Sequence, residues 1–451
     1  MQDGTPHHEL TLTTLHHSLT DPALESMNFL NEVASRYPEA VSFASGRPFE
    51  EFFDIKLVHE YIDTYCGYLR DDRGFSDAQV RQTLFQYGRT KGIIHELIGR
   101  QLRHDEGIDV DPEAIVITVG CQEAMFVTVR ALRADEHDIL LAISPTYVGM
   151  TGAARLADMP VWPVLGGPLG IDLDDLTRQI GRAREAGLRP RAFYVMPDFA
   201  NPSGVSLSVP LRHRLLDIAA RERILLLEDN PYGLFHDGTH LPTLKSLDTR
   251  RQVIYLGSFA KTGFPGARVG YAVADQRVAC GDGRVSLFAD ELSKIKSMVT
   301  VNTSAVAQAM IGGKLLEHDC SMVTANERET AVYQRNLRHV LDGLRRRFTD
   351  TGSPLPVSWN TPRGGFFVVV TLPFAASDEL LERSARDYRV LWTPMSHFYA
   401  GHSALPHVRL ACSQLTPDQI ETGLDRFAAF VADTVARHDE RQSTGQYTGS
   451  L

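Results

Sequence analysis

The chain is poor in the residues that would announce a stapled, membrane-embedded or nucleic-acid-binding protein. Its five cysteines, Cys66, Cys121, Cys280, Cys320 and Cys412, are scattered, odd in number and form no CxxC pair. That pattern fits neither a disulfide framework nor a zinc-ligand spacing, and it points to a reducing compartment. No apolar run reaches the length of a membrane span, and the N-terminus MQDGTPHHELTLTTLHH has neither the basic start nor the apolar core of a leader. A cytoplasmic protein is expected. Basic charge is in deficit as well: the net charge of −10 is opposite in sign to the field that recruits a phosphate backbone. The run Arg345 to Arg347 reads as a solvated helix face. Internal repeats and low-complexity segments are absent too.

What is present is length and a rhythm of buried strands. At 451 residues the chain exceeds one ordinary core, so a large domain and a smaller one are expected, with interior enough to enclose a small molecule. Between about residues 80 and 300 five apolar runs recur: AIVITVG (114–120), DILLAIS (138–144), AFYVMP (192–197), ILLLED (224–229) and QVIYLGS (252–258). Their hydrophobicity is continuous rather than alternating, the mark of strands covered on both faces. Helix-period segments such as LRHRLLDIAARER lie between several of them, so the fold class is α/β with a mostly parallel sheet. Beyond residue 300 the texture changes to a long amphipathic stretch over 322–348, the strand-like runs GGFFVVVTL and HVRLAC, and a last helix over 417–438. The expected division is an arm over 1–45, a large domain over 46–315, a small α+β domain over 316–440 and a polar tail over 441–451, with the first residues available to the small domain.

In open α/β sheets the ligand site forms at the carboxyl ends of the strands, and here those ends carry polar residues one after another. Gly120-Cys121-Gln122 opens a helix, Pro145-Thr146-Tyr147 follows the second run, and Asn201-Pro202-Ser203-Gly204 the third. Asp229-Asn230-Pro231-Tyr232 follows the fourth, and Ser258 with Lys261 the fifth. Each alone is an ordinary turn or helix cap; the ordered set is a candidate site. A glycine turn feeding a helix N-terminus presents free amides to an anion, with Ser258 and Arg268 placed to assist. A lysine among small and apolar residues, such as Lys261, loses the stability of its charged form and becomes a nucleophile toward an aldehyde. An aspartate buried opposite, for which Asp229 is the candidate, would keep a pyridine nitrogen protonated, the pairing that makes a pyridoxal ring an electron sink.

The segment YLGSFAKTGFPGARVGYAVA closely resembles the lysine segment of class I/II pyridoxal-phosphate aminotransferases of fold type I, in the 2-aminoadipate and kynurenine aminotransferase-like branch. SFASGRP, QYGRTKG, TVGCQEAM, PTYVG, MPDFANPSGVSLS, LLLEDNPYGLF, TPRGGFFV and VRLACS follow that branch in order. The resemblance implies a homodimer that moves an amino group from an L-amino acid to a 2-oxo acid, with pyridoxal 5'-phosphate held as a Schiff base on Lys261, which also shuttles the proton. It implies that Asp229 pairs with the ring nitrogen, that Asn201 and Tyr232 bind the phenolic oxygen and that Tyr147 stacks on the ring. Cys121, Gln122, Ser258 and Arg268 would take the phosphate, and Tyr87 would reach the phosphate of the neighbouring subunit. Arg409 would clamp the substrate carboxylate as a bidentate fork, and Arg47, in the segment that covers the substrate, would select the side chain. Relatives usually carry serine at Cys121, glutamine at Ala200 and glycine at Met395; the last two changes are expected near the substrate. His397 could line the mouth, although a packed or solvated histidine is the preferred reading. Two rivals stand beside this reading: the same cofactor chemistry diverted to decarboxylation or oxidative deamination, and a transcriptional regulator. The second would need a basic helix-turn-helix module where this sequence has a short acidic-to-neutral arm.

Overall fold

The computed structural model describes residues 9–167, 170–350, 355–401 and 403–445. All five apolar runs are strands of one seven-stranded sheet, joined by two more: β1 (Ile115–Val119), β2 (Asp138–Ser144), β3 (Val161–Leu165), β4 (Arg189–Val195), β5 (Leu225–Asp229), β6 (Val253–Ser258) and β7 (Val269–Val273). Their order is β1-β7-β6-β5-β4-β2-β3, with β7 antiparallel to both neighbours and every other pairing parallel. β3 was not legible as a strand because Pro163 interrupts it and its side chains are half-exposed, which an edge position tolerates. Apolar clusters cover the sheet on both faces, which is why its central strands show unbroken hydrophobic runs.

Five helices matter for the site. They are α1 (Pro22–Arg36), α2 (Gly120–Leu132), which leaves β1 directly, α3 (Glu327–Phe348), α4 (Asp378–Tyr388) and α5 (Pro417–Gly445). α3 and α5 occupy the amphipathic stretches read from the sequence, α5 extending past the expected end. The polar tail lies outside the described residues from 446 onward.

A second, antiparallel sheet of four strands is built around β8 (Phe367–Ala376) and β9 (Leu405–Ala411), flanked by the short strands Ser358–Trp359 and Thr393–Pro394. Its apolar cluster takes in Leu344 of α3, Phe374 of β8, Phe430 of α5 and Trp392, and also Val33 and Phe43 from the N-terminal segment. Val41–Ser42 pairs in parallel with Val390–Leu391, so residues 33–44 run with this second sheet before the chain enters the first. That crossing lays residues 44–48 over the carboxyl ends of the parallel strands. Among the described residues, no helix is long and apolar enough to cross a membrane.

Candidate active site

The parallel strands end on the same side, and the residues that follow them line a single cavity of ≈ 410 Å³ that Ala44 to Pro48 also border. Cys121, Gln122, Tyr147, Asn201, Asp229, Tyr232, Ser258, Lys261, Arg268, Arg409 and Arg47 all line it. Of the residues singled out in the sequence, Tyr87 is not brought there. It lies in the stretch after the helix Asp77–Phe85 and is 86% exposed.

Lys261 sits in the turn after β6, and its Nζ donates to the Gly46 carbonyl at 2.7 Å. Burial, with the guanidinium groups of Arg409, Arg268 and Arg47 adding like charge, lowers its pKa to about 8. Asp229 ends β5 at 1% exposure. Its carboxylate accepts a 2.6 Å hydrogen bond from the Tyr194 hydroxyl and a long one of 3.6 Å from the Cys121 thiol. Burial pushes the acid up to about 7, against the pull of those two donors. Tyr194 was missed from the sequence because it lies inside an apolar run on β4, where its ring reads as core. The usable signal was the hydroxyl, which needs a partner when buried.

At the start of α2 the backbone makes an anion cradle. Gly120 adopts φ +71°, and a Cβ there would stand 2.3 Å from the Arg268 guanidinium. Only glycine lets the chain turn from strand to helix with that arginine alongside. The first amides of a helix have no intrahelical acceptor and face outward, and the Ser258 hydroxyl and Arg268 line the same cavity. Glu123 holds the turn: its carboxylate accepts from the Val119 amide at 2.6 Å and from the buried Lys296 ammonium at 2.8 Å. The glutamate charge is thereby neutralised beside an anion seat.

Arg409, on β9 and 4% exposed, donates to the Asn201 side-chain oxygen at 2.6 Å and to the Ala44 carbonyl at 2.8 Å. Its guanidinium carbon lies 4.4 Å from the centre of the Phe367 ring and 4.8 Å from that of Phe398. Burial lowers its pKa to about 10. Its Nε has no partner, and no carboxylate pairs with it among the described residues. A buried guanidinium with a spare donor is a seat for a carboxylate. Asn201 also meets the Tyr232 hydroxyl, and the Tyr147 hydroxyl lies 3.5 Å from the Gln122 amide.

Arg47 is exposed at the cavity mouth. Ala200 lines a separate, smaller void, and Met395 packs with Val148 and Phe398, so neither faces the main cavity. His397 is packed and does not line the main cavity. Taken together, an anion cradle, a buried acid and an amine of depressed pKa around one cavity are the donor set a phosphorylated pyridine aldehyde requires, and pyridoxal 5'-phosphate fits it.

The comparisons with known proteins agree. Residues 69–427 match the family aminotransferase class I and II. The chain is 59% identical over 423 residues to the (S)-3,5-dihydroxyphenylglycine transaminase of Amycolatopsis orientalis, covering 94% of this chain and 95% of that one. It is 30% identical over 395 residues to the 2-aminoadipate transaminase of Thermus thermophilus, covering 86% of this chain and 89% of the relative. The crystal structure of the Thermus thermophilus alpha-aminoadipate aminotransferase, complexed with N-(5'-phosphopyridoxyl)-L-leucine, superposes with a TM-score of 0.76 at 27% identity, over 95% of this chain and 100% of that chain. The chain is therefore a member of the class I and II aminotransferases, of fold type I, and transfers amino groups between amino acids and 2-oxo acids with pyridoxal 5'-phosphate as its cofactor.

Proposed function

We propose that the amino donor is an arylglycine of the (S)-3,5-dihydroxyphenylglycine kind, and that Lys261, Asp229 and Arg409 carry the reaction. The observation that carries the proposal is Arg409: a buried guanidinium without a carboxylate partner, set between two phenylalanine rings in the cavity that Lys261 also lines. The 59% identity to the dihydroxyphenylglycine transaminase supports the substrate, and the ring of Phe398 on the cavity wall suits an aromatic side chain.

When bound, the cofactor supplies an aldehyde and a conjugated ring that spreads the charge left on the substrate's α-carbon. The residues do the rest. Arg409 seats the α-carboxylate of donor and acceptor alike, which lets one clamp serve both half-reactions. Lys261, with its ammonium form disfavoured, takes the proton from the substrate α-carbon and returns it on the cofactor side. Asp229 would hold the proton on the ring nitrogen of the bound cofactor. Asn201 and Tyr232 would bind its phenolic oxygen, Tyr147 would cover the ring, and Cys121, Gln122, Ser258 and Arg268 would hold the phosphate. Arg47, at the mouth, takes the far carboxylate of an acidic substrate.

The enzyme works as a cytoplasmic homodimer in this reading. Phe85 (72% exposed), Tyr87 (86%) and Met298 (84%) present apolar surface that a second copy would cover, and Tyr87 then reaches the partner's phosphate. The test is product analysis with (S)-3,5-dihydroxyphenylglycine, L-phenylglycine and a panel of proteinogenic amino acids against several 2-oxo acids. The arylglycines should give the aryl 2-oxo acid at the highest kcat/KM. Preference for an aliphatic donor, or aldehyde and CO2 as products, would overturn the proposal.

A further inference from the structure

The wall of the cavity beside Arg409 is set from a distance. Met395–Phe398 forms a single turn after the strand Thr393–Pro394. Its last residue, Phe398, stands over the Arg409 guanidinium, and its carbonyl accepts from the Thr146 amide at 2.9 Å. Behind Phe398 lies a second cavity of ≈ 120 Å³, bordered by Thr151, Val161 and Pro163. The void leaves part of the surroundings of Phe398 unfilled, beside its contacts with Val148 and Met395.

The neighbouring residue does hold the turn. His397 has a side chain 8% exposed, with both ring nitrogens engaged. Nε2 lies 2.9 Å from the Asp378 carboxylate on α4, and Nδ1 lies 2.8 Å from the Ser26 hydroxyl on α1. A carboxylate only accepts, so Nε2 donates to Asp378, and Nδ1 shares a hydrogen bond with the Ser26 hydroxyl. The ring also stacks on Phe29 of α1, with centroids 4.9 Å apart and an interplanar angle of 22°. Two opposed hydrogen bonds and a stacked face leave the imidazole one orientation, and with it the backbone of the turn.

We infer that His397, clamped between Ser26 and Asp378, is a positioning residue that sets where Phe398 stands against Arg409 and so which side chains the site admits. The inference rests on the reading that Arg409 seats the α-carboxylate. In that reading, an aryl ring attached directly to the α-carbon lies next to that carboxylate and within reach of Phe398. A ring one methylene further out reaches past it.

The experiment compares holoenzyme binding of L-phenylglycine and L-phenylalanine, read from the cofactor's visible absorbance, in the wild type and in His397→Ala, His397→Gln and Ser26→Ala. His397→Ala should weaken phenylglycine about tenfold and phenylalanine far less, with cofactor affinity unchanged and kcat held within about twofold where turnover is measured. His397→Gln should recover part of the loss, and Ser26→Ala should reproduce part of it. Equal weakening of both amino acids, loss of cofactor with the amino-acid preference intact, or a wild-type profile in Ser26→Ala would each overturn the inference. Arg409→Lys separates the two readings. It should weaken both amino acids alike, and if it weakens neither, the carboxylate clamp has failed rather than the histidine.

Discussion

Asp229 offers a prediction that can be worked through on the apoprotein. The folded chain raises its carboxyl from 3.8 to about 7 by burial, so between those two values the folded state binds a proton that the unfolded state has released. Stability must then fall as pH rises through that window, being fully present below the unfolded pKa and lost above the folded one. At 1.36 kcal/mol per pKa unit, the two units between pH 5 and pH 7 amount to about 2.7 kcal/mol. With an unfolding entropy of about 2.1 cal/mol/K per residue over 451 residues, that is a loss of about 3 °C in Tm. Asp229→Asn cannot ionise and keeps an oxygen for Tyr194. Its apoprotein should therefore escape the loss, and the two melting curves should diverge by about 3 °C between pH 5 and pH 8. Tyr194→Phe should act the other way: it removes a donor that favours the ionised form and should carry the loss on to higher pH. The assay is thermal unfolding of cofactor-stripped protein across that pH range, with Tm shift on adding pyridoxal phosphate as the control. Parallel curves for wild type and Asp229→Asn would refute the argument that this acid is held up by desolvation.

Four further outcomes follow from the site. Lys261→Ala should abolish transamination; in the wild-type apoprotein, capture of pyridoxal phosphate should quicken about tenfold per pH unit up to about 8 and then level off, because only the neutral amine attacks. A stopped-flow record that is flat with pH would contradict the depressed lysine. Gly120→Ala places a Cβ against Arg268 at a positive φ, a strain of about 1–3 kcal/mol, and equilibrium dialysis should find the cofactor bound at least several-fold more weakly. Arg409→Lys should raise KM for the amino donor by about ten- to a hundredfold, the cost of losing a charged, forked hydrogen bond of about 1.5–3 kcal/mol, while cofactor affinity stays near the wild-type value.

The sequence by itself settled what depends on local pattern. Unbroken apolar runs could only be strands covered on both faces, and polar residues after each run had to gather at one sheet end because parallel strands share a direction. The lysine turn, the aspartate closing β5 and the glycine turn opening α2 were legible for that reason, whereas Arg409 and Arg47 were legible only through the family resemblance. Tertiary structure decided what depends on meetings between distant segments. Lys261 finds the Gly46 carbonyl 215 residues away, Arg409 reaches Asn201 across 208 and Ala44 across 365, and His397 meets Ser26 across 371. Tyr194 looked like core until the β4–β5 pairing set its hydroxyl against Asp229. A hydrogen bond of that kind is chosen by where the topology brings a donor, and the residues around Tyr194 or His397 hold no periodicity that records the partner.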